Sequence, residues 1–485
     1  MQNRFLEDDS FAPVRREHTA ESLVVTGNIP HHLDGRYLRN GPNPVSELDP
    51  AAYHWFTGDA MVHGVRIRDG RAEWYRNRWI RNSRISELLG EPARPGGHRG
   101  TPNTNVLTHA GRTLALVEAG TMPVELDEEL NTIGSCDFDG TVTGGYTAHP
   151  KLDPVTGELH AVSYSFVRGN RVRYTVIGAD GRARRSVEVE VTGSPMMHDF
   201  SLTEKYVVFY DLPVTFDIRQ AVPASVPLRM RLPARLMLSA LIGQIRVPSP
   251  IRARIGKRMQ GRVSKQPGGN GVLPYRWNRR YPARVGVMPR EGGNSDVRWF
   301  DVEPSYVFHP MNAYDDGDTV VLDLVRYRKM FDTDFTGPGE DPATLDRWIV
   351  DLASGRVREE RLDDRPQEFP RIDERLTGRR HRFGYTLQMN EGDHPDHQLL
   401  KQDLVNCTTS THAFGPGKYA SEFVFVPNST DAIEDDGVLM GFVYDQATGN
   451  SDLRLLDAAT LEPMAAIHLP DRVPAGFHGN WNPTA

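Results

Sequence analysis

The run YTVIGADGRARRSVEVEV (174–191) alternates apolar and polar residues on both sides of an Asp-Gly step. Glycine takes the positive φ that a tight reversal needs, so two β-rich runs around Asp-Gly read as a β-hairpin. Related signatures recur along the chain, in GVRIRDGRAEWY (64–75), TGELHAVSYSF (156–166), DDGDTVVLDLVRY (315–327), RWIVDLASGRVREERL (347–362) and DDGVLMGFVYDQATGNSDLRLLD (435–457). Hairpins from end to end, without βα alternation, predict an all-β antiparallel architecture. A barrel, a pair of sandwiches or a propeller would fit. No clean fixed-period repeat stands out, so the hairpins alone leave these open.

Composition agrees with one large β architecture as readily as with three average domains. The chain has 485 residues, and its 44 Gly and 35 Pro supply about one residue in six, which implies many turns and few long helices. Hydrophobic residues make up 38% and mean hydropathy is -0.50, enough for a sizeable core in a soluble chain. Two cysteines, Cys136 and Cys407, exclude a disulfide scaffold and a thiolate zinc site and suit a reducing compartment. The first residues carry no apolar signal segment, and no apolar run approaches the ~18 residues of a membrane-spanning helix. The expected location is the cytoplasm.

Charge is unevenly spread. From Asp217 to Lys265 the net charge is +10, against -17 for the remainder. Within this segment, LRMRLPARLMLSALIGQIRVPSPIRARIGKRMQGRV (228–263) places Leu, Met, Ile and Ala at helical spacing with Arg between them, and Pro233, Pro248 and Pro250 break it into short pieces. An ordinary crossover packed on the body would look like this. So would a membrane-surface element with its apolar face in the headgroups. Nucleic-acid binding fits less well, because the stretch has no aromatic to stack bases and the protein is acidic.

Four of the 17 histidines sit beside β-rich runs among small or aromatic residues: His149 in GYTAHPK, His198 in SPMMHDF, His309 in SYVFHPMNAY and His478 in AGFHGNW. Taken singly, each reads more readily as a hydrogen-bonded core histidine than as a ligand. Four imidazoles converging without cysteine would suit a borderline ion such as Fe(II). His31 and His32 in HHL, and His394 and His397 in HPDH, read as solvated loop residues. No zincin, nucleophile-elbow, Walker or dinucleotide-binding motif occurs in a supporting context.

Around these four histidines the chain resembles the carotenoid cleavage oxygenases, most closely the actinobacterial-type members. The ordered motifs run from GRYLRNGPNP (35–44) and HWFTGDAMVHGVRI (54–67) through NTNV (103–106), GYTAHPKLDPVTGELH (145–160) and MMHDFSLTEKYVVFYDLP (196–213). They continue in RWFDVEPSYVFHPMNAY (298–314), EFPRID (368–373), SEFVFVP (421–427), EDDGVLMGFVYD (434–445) and GFHGNW (476–481). The resemblance implies a single seven-bladed β-propeller over residues 1–485, capped by loops and short helices, with 217–266 as a basic, apolar cap insert. It implies Fe(II) held by His149, His198, His309 and His478, with Glu118, Glu368 and Glu422 accepting from the ligand rings and Thr104 close to the open side of the metal. From the residues alone, Glu368 and Glu422 read as surface strand positions. Three glutamates cannot hold four histidines, and the sequence does not say which ligand goes without.

The implied reaction adds both atoms of O2 across one C=C bond of a carotenoid or apocarotenoid and releases two carbonyl products. Substrate would lie in an apolar tunnel, with Phe56, Phe308 and Trp481 as lining or packing residues. The resemblance favours a peripheral membrane contact for 228–255, with Leu236, Leu238 and Ile242 facing lipid. Cleavage of a stilbene or related phenylpropene is the alternative within the family. Its phenol-cleaving branches carry a lysine before the first glutamate, where this chain has Val117. A propeller serving only as a binding module is the alternative from another class.

Overall fold

A computed structural model describes all residues except 1–3, 8–9, 51–52, 93–99, 226–227, 243–272, 336–339, 389–395 and 485. The opening hairpin forms as its alternation requires. Strands Arg171–Ile177 and Ala183–Glu190 pair antiparallel, with Tyr174 opposite Val187 and Val172 opposite Val189. Gly181 turns the loop at φ 78°. Val172, Tyr174 and Val176 are buried, a gain of roughly 1.5–3 kcal/mol for each large apolar side chain. On the solvated face Arg171 and Arg173 meet Glu188 and Glu190 across the strands.

Such units repeat into a seven-bladed β-propeller. Among the described residues there are seven sheets of four to six strands and one two-stranded ribbon. Blade 1 holds His18–Glu21, Arg71–Trp79, Ala60–Arg68, Gly35–Pro42 and the C-terminal strand Gly479–Pro483. Blades 2 to 6 follow in chain order, their innermost strands being Asn105–His109, Lys151–Leu152, Ser201–Leu202, Pro310–Asp316 and Gln367–Arg371. Blade 7 runs from Lys418–Ala420 and Val424–Pro427 outward to Pro463–His468, and the early strand Val24–Gly27 completes its outer edge.

The ring is therefore closed twice. Val24–Gly27 pairs with Pro463–His468, and Gly479–Pro483 pairs with Gly35–Pro42. Each closure ties a strand from one end of the chain to a strand from the other. Trp481, opposite Tyr37 in the second, packs into the cluster of Ile29, Leu33 and Val65 shared by blades 1 and 7. It has the packing role of the two that the sequence allowed.

The basic insert leaves blade 4 between Tyr206–Asp211 and Arg284–Pro289. It begins with the ribbon Val214–Phe216/Tyr275–Trp277 and carries helices Ile218–Ser225 and Arg231–Leu241. Pro233 lies in the first turn of the second helix, where a missing N–H is harmless. Residues 243–272, with Pro248 and Pro250, lie outside the described residues. One expectation fails here. Leu238 and Ile242 are buried in the main core cluster, and only Leu236 of the expected trio is exposed. At 100° per residue, positions 236 and 238 point to opposite sides of a helix. Among the described residues of the insert, the exposed large apolar set is Leu228, Met230, Leu232 and Leu236.

Candidate metal centre

Each blade delivers one notable side chain at the entry to its innermost strand. His478 precedes Gly479–Pro483 in blade 1, Thr104 precedes Asn105–His109 in blade 2, and His149, His198 and His309 precede or adjoin the inner strands of blades 3, 4 and 5. Glu368 lies on Gln367–Arg371 of blade 6, and Glu422 stands just before Val424–Pro427 of blade 7. Glu118 is the exception, following the second strand of blade 2, Arg112–Leu116. Inner strands of all blades meet at the axis, so residues hundreds of positions apart become neighbours.

One ring nitrogen from each of His149, His198, His309 and His478 lies within 4.8 Å of the others, and all four histidines are buried. Four ligands at about 2.1 Å from one ion would stand ~3 to 4.2 Å apart, so the cluster is close to a coordination shell. His309 Nδ1 is 2.7 Å from Glu368 Oε2, His478 Nδ1 is 3.0 Å from Glu422 Oε1, and His198 Nδ1 is 2.8 Å from Glu118 Oε2. The last contact is short but lies off the hydrogen-bond axis. With Nδ1 protons given to carboxylates, the opposite nitrogens present bare lone pairs. Nε2 of His198 and Nε2 of His309 face each other at 3.3 Å, and Nε2 of His149 is buried without a partner. Lone pairs aimed at one another in a buried space are repulsive unless a cation sits between them. The residues fit a metal ion.

Titration behaviour agrees. Burial, reinforced by the neighbouring histidines and Lys151, holds His149 well below the ordinary histidine value. Burial also lowers His478, partly opposed by Glu422. At His309 burial pulls downward, but Glu368 outweighs it and the net direction is up. Burial would raise Glu422, yet Arg371, His478 and the Gly479 N–H bring it down to about 2. The same balance, led by His309, lowers Glu368. Glu368 and Glu422 thus stay ionised, so each can accept from a metal-bound imidazole and make that ligand more basic.

Local backbone serves this arrangement. Ala119 and Phe369, the residues after Glu118 and Glu368, adopt φ of 62° and 54°. Such strain in non-glycine residues persists where surrounding structure enforces it. At Phe369 it lets the N–H reach Glu368 Oε2 at 2.5 Å while the ring stacks on His309 at 5.7 Å. His478 is fixed at the backbone: its N–H donates to Thr104 O at 3.0 Å and its carbonyl accepts from Asn40 at 3.1 Å. The glycines around it serve side chains. A Cβ on Gly476 would stand 2.1 Å from Arg39 Nη1, and one on Gly479 2.7 Å from the Tyr37 hydroxyl.

The chain matches the family described as retinal pigment epithelial membrane protein over residues 11–483. It is 59% identical over 500 residues to a carotenoid cleavage oxygenase of Mycobacterium tuberculosis, covering 100% of this chain and 98% of that protein. The chain belongs to the carotenoid cleavage oxygenase family. A carotenoid 9,10(9',10')-cleavage dioxygenase 1 of Pisum sativum is 31% identical over 530 residues, covering 97% of this chain and 88% of that protein. The crystal structure of a Pseudomonas brassicacearum lignostilbene dioxygenase superposes with a TM-score of 0.82 at 27% identity, covering 100% and 99% of the two chains.

The geometry gathers His149, His198, His309 and His478, sets Glu118, Glu368 and Glu422 against three of them, and ties Thr104 to His478 through its backbone carbonyl. Glu368 and Glu422 are buried, against the surface reading of their strands. His149 is the ligand candidate without a glutamate. Phe308 stands edge-on to His198 at 5.0 Å and to Phe56 at 6.0 Å, so both belong to the apolar wall beside the cluster. His31 and His32 are exposed in a turn, while His394 lies outside the described residues. The sequence reading missed the groups behind the glutamates. Burial and the nearby Glu118 carboxylate push Tyr164 well above its ordinary value, the Tyr327 hydroxyl donates to Glu368 at 3.0 Å, and Arg371 lies 3.6 Å from Glu422. Their only sequence signal was nearness to an already recognised motif.

Proposed function

We propose that the chain is a non-haem Fe(II) dioxygenase that cleaves one C=C bond of a carotenoid or apocarotenoid with O2, giving two carbonyl products. The observation that carries this reading is the convergence of four buried imidazoles, three of them backed by glutamates. Whole-length similarity to a mycobacterial carotenoid cleavage oxygenase supports the substrate class. His149, His198, His309 and His478 would hold the metal as neutral ligands, and Glu118, Glu368 and Glu422 would fix their tautomer and aim. Ferrous iron supplies the one-electron chemistry by which triplet O2 can react with a closed-shell alkene. The stoichiometry is self-contained: one alkene and one O2 become two carbonyls, with no outside reductant.

The remaining work falls to the walls. Phe56, Phe308 and Phe331 offer an apolar, water-poor surface beside the cluster, suited to a polyene that has little to hydrogen-bond. Thr104 lies beside His478, its carbonyl accepting from that residue, and would limit space on the open side. Exposed Leu228, Met230, Leu232 and Leu236, interleaved with Arg229 and Arg235, are suited to a peripheral contact with anionic membrane, from which an apolar substrate could be drawn. No described helix is long and apolar enough to cross a membrane.

Iron analysis and product mass spectrometry test this. The parent chain should hold about one Fe(II), and His478→Ala should lose it; a chain without iron would be a binding module. Incubation with β-carotene, a β-apocarotenal and a hydroxystilbene separates the substrate classes. The lignostilbene dioxygenase neighbour favours the stilbene as second reading. Against it, Val117 offers no cation to a phenol beside Glu118. Aldehydes from the stilbene alone would overturn the carotenoid assignment.

A further inference from the structure

Three of the four imidazoles carry a glutamate on Nδ1, and His149 does not. Its Nε2 is buried without a partner, and its ring lies 4.4, 5.2 and 4.6 Å from those of His198, His309 and His478. For Nε2 to offer a lone pair, the ring proton must sit on Nδ1. The carboxylate facing that N–H is Asp199, with Oδ2 3.8 Å from Nδ1. This is too long for a hydrogen bond and too short for a water in between, which needs about 5 Å.

What holds the carboxylate off is visible. Asp199 Oδ1 accepts from the Phe200 N–H at 2.6 Å. Lys151 Nζ stands 3.1 Å from Oδ1 and 3.2 Å from Oδ2. Asp199 is buried, with 4% of its side chain exposed. Lys151 follows His149 by two residues on blade 3, and Asp199 follows His198 by one on blade 4. The pair thus links two ligand-bearing strands directly at the cluster.

We propose that Asp199 is a positioning residue for His149, the fourth carboxylate around the metal site, and that Lys151 restrains it from closing on the imidazole. This rests on reading the four histidines as metal ligands. A carboxylate on the distal N–H makes an imidazole a stronger donor, and a competing ammonium weakens that effect. His149 would then be the least basic of the four ligands, an asymmetry the three Glu–His pairs alone would leave unregulated. The bland alternative is an ion pair that only staples blades 3 and 4. The two predict opposite consequences of removing Lys151. A staple lost weakens the site, whereas a restraint lost frees Asp199 to approach Nδ1.

Titration of the metal-free full-length chain with Co(II), followed by its visible absorption, tests this alongside thermal unfolding of the metal-free proteins. Asp199→Asn should weaken binding by roughly 10-fold and shift the Co(II) bands. Asp199→Glu, whose longer side chain can span the gap, should recover most of the affinity. Lys151→Met should bind Co(II) at least as tightly as the parent. Asp199→Asn binding within about twofold of the parent would overturn the proposal. So would equal weakening by Asp199→Asn and Lys151→Met, which is the signature of a staple. If Asp199→Asn does not fold, Lys151→Met and Asp199→Glu decide by the same criteria. A parent chain that binds no Co(II) overturns the metal-site reading and this proposal together, whereas a binding parent with an unchanged Asp199→Asn sinks only the latter.

Discussion

Replacing Glu422 by Gln changes no heavy-atom count and isolates the charge. Glu422 is buried, accepts from His478 Nδ1 and from the Gly479 N–H at 3.0 Å each, and has Arg371 at 3.6 Å. Despite burial, these partners bring its carboxyl from 4.5 down to about 2. At 1.36 kcal/mol per unit, the interactions specific to the charged form contribute about 3 kcal/mol at neutral pH. The amide can accept from one donor, but its NH2 then faces the other donor or the Arg371 guanidinium. Glu422→Gln should therefore unfold about 3 kcal/mol more easily at pH 7 in urea titrations, and bind metal roughly 10- to 100-fold more weakly. The sign with pH follows from linkage. A depressed carboxylate contributes fully above its unfolded value and loses that contribution as pH falls toward the folded one. The gap between parent and variant should hold from pH 7 to about 4.5 and narrow only below that. Equal stability and equal metal affinity at pH 7 would refute the reasoning, and so would a gap that closes already between pH 7 and 5.

Three other outcomes follow from the same structure. Gly476→Ala puts a methyl against the buried Arg39 guanidinium, which is bound to the Pro474 carbonyl, and should cost about 1–3 kcal/mol in urea unfolding, with some loss of metal because His478 lies two residues on. Burial holds His54, His160 and His381 down to about 4. The unfolded chain takes those protons first, so stability should fall by about 1.4 kcal/mol per pH unit per histidine as pH drops from 6.5 toward 4, seen as a lower urea midpoint at pH 5 than at pH 7. Leu232→Asp with Leu236→Asp should leave the melting temperature unchanged and reduce co-sedimentation with anionic vesicles, whereas Leu238→Asp should lower the melting temperature by burying a charge.

Local pattern was enough for strand class. Alternation around Asp-Gly in 174–191 dictates a hairpin because the β period and the turn conformation are properties of a few consecutive residues. The blade count came from family resemblance, since propeller blades of differing length leave no fixed period. The same resemblance marked the four histidines and three glutamates. Periodicity misled at the cap, where helical spacing spoke for an apolar face without saying which face: Leu236 is exposed, while Leu238 and Ile242 are in the core.

By itself, then, the sequence determined an antiparallel chain of hairpins, its turns, and the residue types able to bind a metal. Tertiary structure decided which of them meet. His149, His198, His309 and His478 converge only because inner strands of different blades share one axis. Glu368 and Glu422 turn inward at that axis, although alternation alone would have left them in solvent. Which histidine lacks a glutamate was likewise decided there: Asp199 stands 3.8 Å from His149 with Lys151 on both its oxygens. Spacing along the chain cannot encode such distances, because they depend on how separately folded sheets pack around a common centre.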